Sequence, residues 1–207
     1  MPHELRTFGG LTLLGPDGEP VDAVSSPSKQ SALLAYLAIR RRKRKPATRE
    51  ELLPLLWPEQ STKGGRNALR VTLSRLRGEL PDGALRGRGE ERLWIDESVL
   101  STDVRTFRKA AEQGRPAEAL DLYRGDFLAG FHLSDADPFN RWVDERRGAL
   151  RRMAYEAALS AGDAARADGK PSEAEARYRR ALSLAPLKEE AAAGLIGVLA
   201  EQGDRTD

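Results

Sequence analysis

Residues 64–80, GGRNALRVTLSRLRGEL, carry the side chains with the most to offer a ligand. Leu69, Leu73, Leu76 and Leu80 recur at helical spacing and make one apolar stripe. At about 100° per residue, the far side of the same helix presents Asn67, Val71, Ser74 and Gly78. Arg70, Arg75 and Arg77 lie on its flanks, with Lys63 and Arg66 near its start. One side can pack into a core. The other offers an amide, a hydroxyl, a small apolar group and several guanidiniums, a combination that suits the major groove of double-stranded DNA, where small residues permit close approach and Arg and Asn match base edges or phosphates. The competing reading is an ordinary amphipathic helix with a solvated basic face, and this segment alone does not choose between them.

Charge adds weight to the first reading. The 207 residues carry a net charge of +2, but residues 27–92 alone carry +9, and residues 101–207 carry −2. A local basic patch on a near-neutral chain points to a polyanionic partner. Cysteine is absent and only His3 and His132 could serve as imidazole ligands, so disulfides and thiolate metal sites are excluded and no cofactor is expected. The Gly169-Lys170 pair lacks the spacing of a phosphate-binding loop, and no nucleophile–base pair or dinucleotide fingerprint occurs. No apolar run approaches the length needed to span a bilayer, so no membrane association is expected and the cytoplasm is the expected compartment.

The elements that must position the helix are read from turn and cap signals. LRTF and LTLL flank Gly9-Gly10 and read as two short strands, and Pro20 to Val24 as a third after the Pro16-Asp17-Gly18 turn. Ser28 to about Arg42 reads as a helix with Leu33, Leu34 and Leu37 on its buried side. It runs into the basic stretch Arg40 to Lys45, which fits a solvated helix end, a phosphate contact or a localisation signal. Thr48 and Glu51 form a capping box for a second helix through Leu56 and Trp57, in which Pro54 should kink or shorten the helix. Ser61 or Thr62 caps the 64–80 helix, where Gly64-Gly65 should fray. Ala84 to Gly87 and Arg92 to Asp96 read as a hairpin, with Arg86, Arg88 and Arg92 near its tip. Strands, three helices and a hairpin are the order of a winged helix-turn-helix, with 64–80 as the recognition helix and 84–96 as the wing.

The segments LRTFGGLTLLGPDGEPV, LLAYLA, EELLPLLWPE, RNALRVTLSRLRGEL and LWID resemble the OmpR/PhoB-type winged helix as it occurs in the SARP (Streptomyces antibiotic regulatory protein) family. From Ser101 the chain becomes alanine-rich and helical. GRPAEALDLYRG at 114–125 returns as GKPSEAEARYRR at 169–180, and the second copy fits a tetratricopeptide pattern through Gly162, Gly169, Ala174, Tyr178, Ala181 and Pro186. Tyr123 and Tyr178 are expected to fill the space between helical hairpins. A third helix pair, from Leu187, lacks its second helix, so either the polypeptide continues or a partner covers the exposed face. Between the repeats, RGDFLAGFHLSDADPFNRWVDERR resembles the signature of the bacterial transcriptional activator domain. His132, Asp135 and Asp137 there read as loop polars and a helix cap, and Trp142, Val143, Leu150, Met153 and Ala157 as one face of a long helix from Phe139.

The expected architecture is an α+β winged helix-turn-helix domain over residues 1–100, followed by an all-α tetratricopeptide-like domain over 101–207. The expected function is sequence-specific transcriptional regulation, with activation the expected outcome and no phosphoacceptor receiver domain in these residues. Asn67, Arg70, Val71, Ser74 and Arg75 would meet the groove. Lys63, Arg66, Arg77 and the basic run would hold phosphates, and Arg86, Arg88 and Arg92 would act from the wing. The resemblance implies a homodimer on directly repeated half-sites and contact with RNA polymerase through the helical domain. The competing function is a tetratricopeptide-like interaction scaffold without sequence-specific DNA binding. Enzymatic activity is not expected.

Overall fold

The computed structural model describes residues 3–21, 27–40, 46–88 and 92–203. Two compact units are formed, the first by residues 1–106 and 125–146, the second by 107–124 and 147–207. The units interleave along the sequence, because 125–146 pack with the N-terminal elements.

In the first unit, β1 (His3–Arg6) pairs antiparallel with β2 (Thr12–Leu14), with Leu5 opposite Leu13, and β2 pairs with β3 (Pro20–Val21). Positive φ at Gly9 and Gly10 makes the β1–β2 turn, as expected of these glycines. The third strand was expected to reach Val24; it ends at Val21, and residues 22–26 lie outside the described part. α1 (Lys29–Ala38) is capped by the Ser28 hydroxyl, which accepts from the Ser31 N–H. Its residues from Ser31 to Ala38 are all buried. ALLAYLA is apolar almost all round, which suits a helix with neighbours on every side. The helix stops at Ala38 rather than near Arg42, and Arg41 to Lys45 lie outside the described residues.

β4 (Ala47–Thr48) leads into α2 (Arg49–Leu56), whose cap is the expected one: the Glu51 N–H donates to Thr48 Oγ1 at 3.2 Å. Pro54 is accommodated inside α2, which ends two residues later. α3 (Thr62–Glu79) starts at the Ser61 cap and includes both glycines, so the expected fraying is absent. The physical reason is packing. Gly65 is buried, and a Cβ there would lie 3.3 Å from Leu53 Cδ2 and 3.8 Å from Trp57 Cβ. α3 meets α2 at this glycine, where even a methyl group would need the Leu53 side chain to give by a few tenths of an ångström.

β5 (Leu85–Arg88) and β6 (Arg92–Ile95) form the expected hairpin, and β4 joins β6 on its other edge through Ala47 opposite Leu93. β7 (Leu100–Thr102) adds a parallel strand to β1, giving the sheet order β3-β2-β1-β7. α4 (Asp103–Glu112) begins at once. Thr102 Oγ1 accepts from the Arg105 N–H, while Asp103, 1% exposed, turns back across the sheet. Its carboxylate accepts the Thr7 N–H at 2.8 Å, the Thr7 hydroxyl at 2.7 Å and the Phe8 N–H at 2.9 Å. Residues 125–128 continue from there. The Gly9 N–H donates to Asp126 O, the Leu128 N–H donates to Thr7 O, and Phe8 bridges to Phe127. α6 (Asp137–Ala167) starts two residues before Phe139, and its Phe139 and Val143 enter the core of this unit.

The second unit is helical. α5 (Pro116–Leu122), α7 (Pro171–Leu184) and α8 (Glu189–Gly203) join the later residues of α4 and α6. Tyr178 is 1% exposed and lies between two glycines: a Cβ on Gly162 or Gly194 would fall within 3 Å of its ring. Its hydroxyl donates to Asp163 at 2.7 Å. α8 starts at Glu189, two residues past the expected Leu187, which is 96% exposed, as is much of Ile196 (68%).

Asp103→Ala orphans four buried donors, the N–H and hydroxyl of Thr7 and the N–H groups of Phe8 and Val104, and should lower the urea unfolding free energy by about 2–4 kcal/mol. Burial pushes the Asp103 pKa above the ordinary carboxylate value, against the donors that favour the charge. The contribution of this group is therefore full below the ordinary value and declines as pH rises through the raised one; Asp103→Asn should remove that slope from the pH–stability curve. Gly65→Leu should cost about 1–3 kcal/mol by forcing α3 off α2. Gly78, with open space around it in the same helix, should tolerate Ala with a gain of about 0.5–1 kcal/mol.

Candidate nucleic-acid interface

The expected recognition helix is oriented by its leucines. Leu69, Leu73, Leu76 and Leu80 are 5% exposed or less. With that stripe inward, Lys63, Arg66, Asn67, Arg70, Ser74, Arg75 and Arg77 are exposed, and Val71 is half-buried. These side chains therefore share one solvent-facing surface of one helix.

Their electrostatics are uneven. Arg70 Nη2 donates to Asn67 Oδ1 at 3.0 Å, a bond that uses the amide oxygen of the exposed Asn67 and not its nitrogen donor. Among the described residues, Lys63, Arg66, Arg75 and Arg77 have no hydrogen-bond or ion-pair partner. The one acidic residue of α3, Glu79, accepts from Gln30 Nε2 at the far end of the helix. The Thr72 hydroxyl donates back to Ala68 O one turn earlier, which commits its proton within the helix.

The hairpin divides the three expected wing arginines. Arg86 stands opposite Trp94 and reaches Asp96 Oδ2 at 3.5 Å, so it braces the base of the hairpin. Arg88 and Arg92 stand opposite each other where the strands open toward residues 89–91, and Arg92 is exposed. The Arg88 side chain and the tip, 89–91, lie outside the described residues.

Arg40, the first residue of the basic run, is internal in character. Its Nη1 lies 2.6 Å from Glu51 Oε1 and 2.5 Å from the Tyr36 hydroxyl, and its carbonyl accepts from Arg105 Nη2. Burial and the neighbouring Glu51 carboxylate push the Tyr36 phenol up to about 12, so it stays a donor. Burial alone would raise Glu51, but Arg40, Tyr36 and the Thr48 N–H hold it below the usual value. Arg40 therefore belongs to the joint between α1 and α2; the rest of the basic run, Arg41 to Lys45, lies outside the described residues. Sequence reasoning placed Arg40 with its neighbours because a run of like charges hides the one member with a buried partner.

His132 and Asp137 are exposed, Asp137 opening α6, and Asp135 pairs with Lys29 at 2.8 Å. Asn140 holds the preceding loop by bonding both the N–H and the carbonyl of Leu133. Among the described residues, no helix is long and apolar enough to cross a membrane.

Comparison with known proteins places this geometry. Residues 21–93 match the family described as transcriptional regulatory protein, C terminal, and residues 95–207 match the bacterial transcriptional activator domain. Both are transcriptional regulator domains rather than enzyme families. No curated protein matches the chain. Among solved structures, the fold is similar to Mycobacterium tuberculosis EmbR in complex with a low affinity phosphopeptide, at 25% identity and a TM-score of 0.67. That match covers 95% of this chain and 54% of the EmbR chain, so the present chain spans about half of that protein's length. With more than half of its residues matching the activator domain, behind a transcriptional-regulatory winged helix, the chain belongs to the bacterial transcriptional activator domain family and has the organisation of a SARP-type regulator.

Proposed function

We propose that this chain is a sequence-specific DNA-binding transcription activator that reads the major groove with α3. The observation that carries the reading is the outward face of α3: Asn67, Arg70, Ser74 and Arg75 exposed together above a buried leucine stripe, with Arg75 and the flanking cations unpaired among the described residues. Asn67, Arg70, Val71, Ser74 and Arg75 contact base edges and groove walls, and Lys63, Arg66, Arg77 and Arg41 to Lys45 contact phosphates. Arg86, Arg88 and Arg92 act from the wing on the adjacent minor groove or its backbone, Arg86 while it also pairs with Asp96 at the hairpin base. Residues 1–100 supply DNA recognition. Residues 101–207 supply dimerisation on directly repeated half-sites and the contact with RNA polymerase.

A second reading, an interaction scaffold, draws on the exposed Leu187, Ile196 and Leu199 of the last helical hairpin. Selection of bound duplexes from a random pool separates the two. A motif of two repeated half-sites about 10–11 base pairs apart supports the activator, and sequence-blind binding supports the scaffold. On the selected site, Arg75→Ala should weaken binding by about 1–3 kcal/mol while random DNA is bound nearly as before; an equal loss on both would make Arg75 a phosphate contact. Replacing Arg41 to Lys45 with Gln should flatten the salt dependence and leave the selected motif unchanged. Arg40 is left out of that exchange because of its bonds to Glu51 and Tyr36.

A further inference from the structure

Lys29 is the first residue of α1, where a cation opposes its own helix dipole. Its ammonium is instead spent on another helix. Nζ lies 2.5 Å from Leu56 O, at the C-terminus of α2, and its side chain is only 18% exposed. α2 has no basic residue in its last turn, so its terminal carbonyls receive their cation from α1. The same ammonium lies 2.8 Å from Asp135 Oδ1 and 3.2 Å from Asp135 O, in the loop before α6.

The opposite end of α2 is held by the same segment through a different contact. Glu51, in the first turn of α2, accepts from the Tyr36 hydroxyl at 2.9 Å, and the Tyr36 ring lies 4.8 Å from the Trp142 ring of α6. Trp142 in turn meets Phe127 and Phe139. Residues 127–142 therefore reach α2 at its N-terminus through Tyr36 and at its C-terminus through Lys29. α2 is the helix that Gly65 brings against α3.

We infer that Lys29 and Tyr36 are positioning residues for DNA reading: they let the segment 125–146, which lies within the activator-domain match, brace both ends of α2 and so fix the angle at which α3 is presented. The inference rests on α3 being the recognition helix. It separates the segment's place in the family match from its mechanical task, which is within the DNA-reading unit.

The test uses the full chain and the variants Lys29→Met, Asp135→Asn and Lys29→Arg. Amide exchange is read at Trp57 and Gly65, whose N–H groups bond Leu53 O and Ser61 O at the α2–α3 joint, with the Leu5 and Leu13 amides of the sheet as reference. Binding is read on the selected duplex and on a random duplex. Lys29→Met should speed exchange at the joint but not in the sheet, and should lower discrimination between the two duplexes by about 2- to 30-fold with the salt slope unchanged. Asp135→Asn should do the same more weakly, and Lys29→Arg should restore both. Unchanged exchange at the joint, or exchange raised equally in the sheet, would overturn the inference. If the wild-type chain fails to discriminate at all, the recognition reading falls, and the exchange data still decide whether the brace exists.

Discussion

Burial of four leucines on one side of α3 removes the helix's freedom to rotate. Each fully buried leucine is worth about 1.5–3 kcal/mol, so turning α3 by even one residue would sacrifice a large part of a domain's net stability. The whole outward face of α3 depends on this. Asn67, Arg70, Ser74 and Arg75 face solvent because Leu69, Leu73 and Leu76 cannot. The wall that holds the leucines is equally constrained: α1 is buried from Ser31 to Ala38, and α2 contacts α3 at a residue that has no side chain. A surface that told one base edge from another would have to be held rigidly, and the apolar packing beneath α3 supplies that support.

A second constraint holds the sheet to the helices. The Asp103 carboxylate is buried and meets three donors from Thr7 and Phe8, so the first strand and the start of α4 are fixed by one side chain about a hundred residues distant in sequence. Strand β7 and residues 125–128 lie on either side of this clamp, bonding to His3, Thr7 and Gly9. The arrangement explains why the first unit is not continuous in sequence. A chain cut near residue 100 would lose both the carboxylate and the strand that the N-terminal sheet pairs with.

What the sequence made legible was what short-range chemistry dictates. The leucine period, the Thr48–Glu51 capping box, the Ser61 cap and the 84–96 hairpin each depend on residues within a few positions of one another. β4 and β7 were not read, because strands of two and three residues carry no period and owe their existence to partners some 45 and 95 residues away. Gly64-Gly65 was read as weak helix chemistry, which it is; that Gly65 is an asset appears only once Leu53 and Trp57 are beside it. Lys29 and Arg40 were hidden for a related reason. A lysine at a helix start and an arginine in a basic run look solvated until the Leu56 carbonyl and the Glu51 carboxylate are placed next to them. Likewise the hairpin arginines read as one cluster, whereas the strand register assigns Arg86 to Asp96 and sets only Arg88 and Arg92 at the open end.

The choice between a DNA-reading face and a merely solvated one turns on how this protein treats its other exposed cations. On α7, Arg177 pairs with Glu173 and Asp121, and Arg179 with Glu175. Arg166 pairs with Glu201, and Arg115 with Glu118. Three of these pairs, Arg177–Glu173, Arg179–Glu175 and Arg115–Glu118, are at i,i+3 or i,i+4, the ordinary way for a solvated helix to carry charge, each worth a few tenths of a kcal/mol. Lys109, Arg141 and Arg152 are exposed with no side-chain partner among the described residues as well, so what sets α3 apart is the density of its cations. It carries Lys63, Arg66, Arg70, Arg75 and Arg77 over fifteen positions, with Glu79 at its end bound elsewhere. A helix that only needed solubility would gain by exchanging one of these for a glutamate four residues from an arginine. Leaving the cations uncompensated costs the free protein a little repulsion, which salt screens, and that cost is recovered when phosphates arrive and their condensed counterions leave. The absence of carboxylates between Lys63 and Arg77 is thus itself a feature of the surface, and it favours a polyanion over water as what α3 is built to meet.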